Sequence, residues 1–244
     1  MADYKAIKGQ TIQNRTSDPL VAGVAGATWT AGGNLPAVRY AVSGAAGSQT
    51  SALIAGGATA PPANGNQVNL SSEYDGTSWT EGGNLNTTRF SAAGFGASNT
   101  AAVIAAGSAN PGSTAQDAVE TYNGTAFTEA TEVNQARSEI SGGGGTSTAG
   151  IVFGGSAPPT TMLGETETWD GTSWTEVNDL NTDRHLLAGS GNVNTAAICM
   201  SGSDDGGTEK LTNVEIWNGS NWTEVGEVNV GRWAGSGAGT STSA

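Results

Sequence analysis

The stretch YDGTSWTEGGNLNTTRF, residues 74–90, has the pattern of a β-hairpin followed by a connecting segment. Asp75-Gly76 stands between Tyr74 and Trp79, and Asp-Gly is typical of the tight hairpin turn that requires positive backbone φ. The same phrase returns as YNGTAFTEATEVNQARS, WDGTSWTEVNDLNTDRH and WNGSNWTEVGEVNVGRW. An eroded version, ATWTAGGNLPAVRY, begins at Ala27. A single hairpin does not explain five copies, so the phrase marks a repeat.

The repeat has a regular length. The aromatic residue after the turn recurs at intervals of 50, 48, 47 and 48 residues, at Trp29, Trp79, Phe127, Trp174 and Trp222. An arginine follows ten residues later in every copy, at Arg39, Arg89, Arg137, Arg184 and Arg232. Repeats of this length are supersecondary units that bury their apolar faces only against neighbouring copies. Five copies across 244 residues therefore predict one domain, residues 1–244.

Each repeat divides into four strand-like segments. In residues 89–134 these are RFSAAGFG, TAAVIAAG, DAVETY and TAFTEA. DAVETY alternates apolar and polar residues, which is the pattern of a half-buried strand, and none of the segments has helical periodicity. The sequence therefore predicts an all-β fold with four antiparallel strands per repeat.

A glycine stands five residues after each repeat arginine, at Gly44, Gly94, Gly142, Gly189 and Gly237. Glycine at a fixed position inside a strand indicates that another backbone passes close by. The innermost strands of radially arranged sheets crowd in this way around an axis. The sequence therefore predicts a five-bladed β-propeller of four-stranded antiparallel blades.

The two ends of the sequence are complementary. The last copy stops at RWAGSGAGTSTSA, which supplies only an innermost strand, whereas ATWT near the start is an outermost strand. We expect Arg232–Gly239 to join a closing blade that the N-terminal segment, residues 1–26, completes, with residues near 5–22 as its middle strands. Such pairing removes the exposed sheet edges of an open array.

The sequence has two resemblances to known proteins, of which the first concerns the architecture and the second the location. Paired glycines after an apolar strand, as at Gly56-Gly57 and Gly154-Gly155, precede an aromatic residue, a turn and a tryptophan, and this order resembles the kelch repeat. The resemblance implies a propeller scaffold. The opening MADYKAIKG, followed by low-charge repeats, resembles predicted proteins of marine bacteriophages, which implies a location on a virion or outside the cell.

The composition of the chain narrows the classes of molecule that the protein could bind. The formal net charge of −13 argues against binding to a nucleic-acid backbone, which requires a basic patch. The N-terminus has no apolar stretch typical of a signal peptide, and no run is long enough for a transmembrane segment. The lone Cys199 lies in an apolar run, so we expect a buried thiol without an internal disulfide.

The repeat arginines have two possible roles, as a ring of anion-binding cations or as structural clasps to glutamates. Identical spacing in every copy favours the clasp, because a ligand rarely contacts all blades equally. The expected partners are the repeat glutamates Glu73, Glu120, Glu167 and Glu215. Tight arginine–carboxylate pairing has the geometric specificity that this role needs.

Binding is expected where the copies differ. The loops between second and third strands are long and dissimilar, and variable loops on a rigid scaffold commonly carry binding. The residue after each arginine also varies, and we expect it near the axis at the same face. Its ring-bearing members are the candidate ligand-binding residues Tyr40, Phe90, His185 and Trp233. Whether these rings stack on a ligand or wedge between blades stays open.

Catalysis is not expected. His185 is the single histidine, which excludes a multi-histidine metal site, and its neighbour Asp183 is a weak catalytic signal. The carboxylates of SDDGGTE, residues 203–209, lack the EF-hand spacing. We therefore predict no catalytic residue, no metal and no cofactor.

The predicted function is a non-enzymatic binding module, virion-associated, that recognises a host surface glycan or protein through the variable-loop face. The alternative is an architectural virion component whose partners are other virion subunits. The ligand and the oligomeric state stay open.

Overall fold

The computed structural model describes residues 32–60, 66–109, 114–157, 161–204 and 209–239. The chain divides into two compact units, Met1–Gly32 and Gly33–Ala244. The expected role of residues 1–26 in a closing blade therefore concerns residues outside those described. The described residues are all-β and contain no helix, so none of them forms a helix able to cross a membrane.

Four antiparallel sheets of four strands follow one another along the chain, each in the strand order of the sequence. The first contains β1 (Ser43–Ser48), β2 (Ser51–Ala55), β3 (Ser71–Tyr74) and β4 (Trp79–Glu81). The second contains β5 (Ala93–Ser98), β6 (Ala101–Ala105), β7 (Val119–Tyr122) and β8 (Phe127–Ala130).

The third sheet carries an insertion. It contains β9 (Ser141–Thr146), β10 (Ala149–Phe153), β13 (Thr166–Trp169) and β14 (Trp174–Val177). Between β10 and β13 a separate two-stranded hairpin is formed by β11 (Ser156–Ala157) and β12 (Thr161–Met162). The fourth sheet contains β15 (Ala188–Val193), β16 (Ala196–Met200), β17 (Asn213–Trp217) and β18 (Trp222–Glu227).

The four strands of a sheet differ in burial, which explains their composition. The second strand of the second sheet, β6, is the apolar run AAVIA, because it packs against neighbouring sheets on both faces. The fourth strand, at the outer edge, exposes a threonine and a glutamate, as Thr128 and Glu129 do in β8. Charged residues on an edge strand discourage pairing with other chains.

The sheets stack face to face through three apolar cores. The first strands β1, β5, β9 and β15 are neighbours in that order. Leu53 and Ile104 belong to the core between the first two sheets, and Val103 and Trp169 to the next. Phe153 and Trp217 belong to the core between the third and fourth sheets.

The first strands surround a cavity of about 620 Å³ that all five glycines of the repeat line. The expected close approach of backbones is confirmed at two of them. A Cβ added to Gly94 would lie 2.3 Å from the carbonyl oxygen of Gly44, and one added to Gly237 would lie 2.7 Å from that of Gly189. The C-terminal segment at Gly237 thus lies along β15 as a further first strand would.

A line of backbone hydrogen bonds connects the repeats at the residue two positions after each arginine. The N–H of Ser91 donates to Ala41 O. In the same way Glu139 donates to Ser91, Leu186 to Glu139 and Ala234 to Leu186, and the N···O distances are 2.8–3.0 Å. All five residues have positive φ, between 50° and 56°, although none is glycine.

The line ends at Ala41 and Ala234. Within the described residues Ala41 N–H does not donate to Ala234 O, and a Cβ added to Gly44 meets no atom within 4 Å. The described part of the chain is therefore a four-sheet array, and its C-terminal segment lies beside β15 without forming a strand of its own.

Candidate binding face

The loops between second and third strands all lie at one end of the sheets, together with the residue that follows each arginine. Tyr40 exchanges two backbone hydrogen bonds with Ala58, each 3.0 Å long. Phe90, Ser138 and His185 form the same bridge to the loops of their own sheets. The backbone at these positions is therefore fixed by the sheet, although parts of every loop lie outside the described residues.

The candidate rings differ in accessibility. Trp233 is 44% exposed and Tyr40 is 37% exposed, whereas Phe90 is half-buried. The hydroxyl of Tyr40 donates to Ala60 O at 3.1 Å. The Nζ atom of Lys210 lies 5.9 Å from the ring centroid of Trp233, within the range of a cation–π contact. The exposed rings therefore belong to the first and last repeats.

His185 has a different environment, because it lies between the third and fourth sheets. Its side chain is 7% exposed, and Nδ1 lies 2.6 Å from Oε2 of Glu139. The same carboxylate oxygen accepts a hydrogen bond from the Ser156 hydroxyl at 3.2 Å. The hydrogen bond from His185 is the main reason that the pKa of Glu139 lies below its ordinary value. In the structure the imidazole therefore contacts Glu139 rather than its sequence neighbour Asp183.

Three repeat arginines form the predicted structural clasps. Arg89 donates from Nη1 to the carbonyl oxygens of Ala106 and Ala118 and from Nη2 to Oε1 of Glu120, at 2.6 Å. Asn86, three residues before the arginine, donates from its backbone N and Nδ2 to the other carboxylate oxygen. We call this arginine, glutamate and asparagine the arginine clasp.

The clasp recurs in the third sheet with Arg137, Glu167 and Asn134, and in the fourth with Arg184, Glu215 and Asn181. All three arginines and glutamates are buried. Because the asparagine stands in the segment that arrives from the preceding sheet, the clasp fixes that segment to the next sheet.

The first sheet lacks two members of the clasp. Arg39 still donates from Nη1 to Gly56 O and Leu70 O, but its Nη2 donates to the hydroxyl of Ser72 at 2.6 Å. Ser72 pairs with Ile54 as Glu120 pairs with Ile104, so it occupies the glutamate position. Pro36 stands where the asparagine belongs.

The prediction that Glu73 is the partner in this sheet is wrong. Glu73 is one position away from the clasp, and a one-residue step in a strand turns the side chain to the opposite face. It accepts a hydrogen bond from the hydroxyl of Tyr122 in the second sheet instead.

Arg232 keeps the sequence of a clasp without the remaining contacts. Asn229 stands three residues before it and Val228 four, as Asn181 and Leu180 stand before Arg184. Arg232 and Asn229 are exposed, and they line a cavity of about 440 Å³ together with Met200 and Val228. This surface of the fourth sheet therefore carries the arginine and the asparagine of a clasp, together with apolar side chains of the kind that form one side of a core between two sheets.

The described residues contain no group of three His, Cys, Asp or Glu side chains arranged to hold a metal ion. Cys199 is a free, buried thiol, as expected, and burial raises its pKa to about 12, which keeps it protonated.

Two features were missed by sequence reasoning. The five positive-φ residues that form the hydrogen-bonded line between repeats carry no glycine or asparagine as a signal, and what they share is their distance of two positions from the arginine. The asparagine of the clasp recurs three residues before four of the five arginines, which is a signal that the sequence contained. The chain matches no family model and no curated protein.

Proposed function

We propose that the chain forms a closed five-bladed propeller that acts as a non-enzymatic binding module. In this proposal Arg232–Gly239 supplies the first strand of a fifth blade that closes the array between the fourth and the first sheets. The position of Gly237 along β15 supports the proposal, as does the unfilled apolar surface around Val228. Gly33 also supports the proposal. It packs against the outer hairpin of the first sheet, and Gly83, which follows the first sheet, packs in the same way against the outer hairpin of the second sheet.

The binding surface in this proposal is the loop face. The observation that carries it is the pair of exposed rings, Tyr40 and Trp233. Tyr40 pairs with Ala58 through two backbone hydrogen bonds, and the two neighbours of Trp233 in the chain form backbone hydrogen bonds to Gly202 and Leu186. Exposed rings on a rigid support offer a large apolar contact with little loss of side-chain freedom. They suit the apolar faces of sugar rings, so we propose a surface glycan of a host cell as the ligand of a virion-associated protein.

Binding of the purified full chain to a panel of bacterial surface polysaccharides tests this function. We expect Tyr40→Ala and Trp233→Ala to weaken binding, whereas Tyr40→Phe and Trp233→Phe retain much of it because they keep a ring. Binding that none of these variants changes would move the site to the long loops and contradict the proposed role of the rings. Absence of binding to all polysaccharides would contradict the glycan function.

A second candidate function is an architectural role in a virion. Exposed valines favour it, because Val38 is 86%, Val230 61% and Val225 55% exposed. Apolar side chains at the ends of the array suit contacts between subunits. Sedimentation of the full chain tests this candidate. Concentration-dependent assembly that Val225→Ser and Val230→Ser abolish would support it, and a monomer at all concentrations would contradict assembly through this surface.

A further inference from the structure

The turn between the third and fourth strands has the same position in each of the four sheets but two chemical forms. Its first residue is an aspartate in the first and third sheets, Asp75 and Asp170, and an asparagine in the second and fourth, Asn123 and Asn218. A glycine follows in all four of these turns. Hydrolysis of an asparagine side-chain amide gives aspartate, so the four turns contain the reactant and the product of one reaction.

The asparagine side chains are exposed and held by the backbone of the turn. Oδ1 of Asn123 accepts hydrogen bonds from the backbone N–H groups of Thr125 and Ala126, both at 2.9 Å. The two corresponding bonds to Oδ1 of Asn218 in the fourth sheet are also 2.9 Å long. The amide carbonyl of each asparagine therefore lies against two N–H donors.

The aspartate turns show that the fold accepts the product. Oδ1 of Asp75 accepts the same two backbone hydrogen bonds, from Thr77 and Ser78, at 2.8 Å. The hydrogen bond from Ser78 is the main reason that the pKa of Asp75 lies below its ordinary value, and the pKa of Asp170 is lowered in the same way. The turn therefore stabilises a carboxylate at this position, because hydrogen bonds to a charged acceptor are stronger than those to a neutral one.

The turn also requires the residue that makes an asparagine reactive. Gly124 and Gly219 have φ of 91° and 93°, and a Cβ added to Gly124 would lie 2.9 Å from Cβ of Thr100. Glycine is therefore the residue that fits after the asparagine. Its backbone nitrogen is the least hindered one for attack on the preceding side chain, and within the described residues neither glycine N–H donates a hydrogen bond.

We propose that Asn123 and Asn218 are sites of intramolecular deamidation in the folded protein, and that both become aspartate with the ordinary backbone linkage. The nitrogen of the following glycine loses its proton and attacks Cγ of the asparagine, a C–N bond forms, and the side-chain nitrogen leaves as ammonia. Water then attacks Cγ of the five-membered imide, which breaks the new C–N bond and returns a proton to the glycine nitrogen. Each turn consumes one water and releases one ammonia.

The two N–H donors favour both the reaction and its product. Negative charge develops on Oδ1 when the glycine nitrogen attacks Cγ, and again when water attacks Cγ. Preorganised donors, which at Asn123 are the N–H groups of Thr125 and Ala126, stabilise this charge as an oxyanion hole does. Attack of water at the backbone carbonyl would instead give isoaspartate, which lengthens the backbone of the turn and does not use these donors.

The modification is independent of the proposed binding function. It adds one negative charge at each of the two turns to a chain of formal net charge −13. These turns lie at the opposite end of the sheets from the loops between second and third strands, because adjacent strands are antiparallel. The loop face is therefore chemically unchanged by deamidation.

Peptide mapping by mass spectrometry, after incubation of the folded full chain at mildly alkaline pH, tests the proposal. We expect Asn123 and Asn218 each to become about 1 Da heavier, because an NH2 group is replaced by OH. Asn192 and Asn229 are the internal controls, since they are exposed but precede valines, and they should not change. The map also separates these sites from Asn64-Gly65, which lies outside the described residues.

The linkage of the product distinguishes a reaction directed by the turn from the reaction of any Asn-Gly pair. A free peptide of the sequence YNGTAF, residues 122–127, is the matched control and should give mainly isoaspartate, whereas the folded chain should give mainly aspartate. Asn123→Asp supplies the chromatographic standard, and its melting temperature should be no lower than that of the unchanged protein.

Two results would overturn the proposal. The first is an unchanged mass at Asn123 and Asn218 in the folded chain over a time in which the free peptide reacts, because it would show that the fold protects these residues. The second is isoaspartate as the main product in the folded chain, because it would show that the N–H donors do not direct the attack of water.

Discussion

Arg184 donates from Nη2 to Oε1 of Glu215 over 2.6 Å, and neither side chain is exposed to solvent. Asn181 satisfies the other carboxylate oxygen with two hydrogen bonds, of 2.7 and 2.8 Å. A buried charge is tolerated only when its partners are complete. The clasp therefore explains the arginine of the three repeats that complete it, in a protein with few charged residues.

Loss of one clasp member leaves the other buried without a partner. We expect Glu215→Ala to lower the free energy of unfolding by about 3–5 kcal/mol. Urea denaturation followed by tryptophan fluorescence measures the change. Glu224→Ala is the matched control, because Glu224 is exposed on the neighbouring strand β18, and its effect should stay within about 0.5 kcal/mol. Similar losses in both variants would contradict the role of the clasp.

Restoration of the clasp in the first sheet should stabilise the protein. Burial lowers the pKa of Arg39, and the nearby charge of Glu81 only offsets this effect in part. The double variant Ser72→Glu with Pro36→Asn should raise the free energy of unfolding by about 1–2 kcal/mol, because a charged pair replaces a neutral acceptor. Ser72→Gln with Pro36→Asn is the control. A double variant that is no more stable than this control would show that the space does not admit a clasp.

The loss of stability caused by a glycine substitution in a first strand shows whether a neighbouring backbone packs against that glycine. Gly94→Ala should cost about 1–3 kcal/mol, because its new Cβ would collide with Gly44 O. Closure of the propeller would place a similar backbone against Gly44, so we expect Gly44→Ala to destabilise as well. Gly226→Ala is the control, since an added Cβ there meets no atom within 4 Å. Thermal unfolding of the three variants measures the comparison, and a neutral Gly44→Ala would contradict closure.

The contact between His185 and Glu139 should make the free energy of unfolding depend on pH in the acidic range. The hydrogen bond from His185 lowers the pKa of Glu139 from its ordinary value of 4.5 in the folded state. The resulting stabilisation is present above pH 4.5 and is lost as the pH falls through the lower folded-state value. Urea denaturation between pH 7 and pH 3 should therefore show a smaller acid loss in Glu139→Gln than in the unchanged protein. Glu132→Gln, at an exposed position, should behave as the unchanged protein does.

The sequence predicts the repeated parts of this fold better than the parts that differ between copies. The turn residues, the apolar second strands and the glycines of the first strands each carry a local physical signal, and the four-stranded sheets follow from them. The partner of Arg39 was predicted wrongly although the spacing of the repeat contained the signal. The clasp glutamates stand seven residues before the repeat aromatic, and at this distance from Trp79 the first sheet has Ser72, whereas Glu73 is six residues away. A shift of one residue in a strand places the side chain on the opposite face.

The candidate site could also be predicted only in part from the sequence. The position after each arginine is visible as a variable position within a constant repeat. The burial of the side chain at this position cannot be predicted from the sequence. His185 is covered because it contacts Glu139 from the neighbouring sheet, whereas Trp233 lies at the end of the array and is exposed. Accessibility depends on the packing of sheets that are distant in sequence.

Hydrogen exchange at the Ala41 amide tests the closed propeller most directly. Ser91 N–H donates to Ala41 O, and each later repeat makes the same bond to the one before it. A closed ring requires Ala41 N–H to donate to Ala234 O in the same way. We predict that exchange of the Ala41 amide, measured by NMR, is as slow as that of Ser91. Fast exchange at Ala41 beside a protected Ser91 would contradict the closed five-bladed ring.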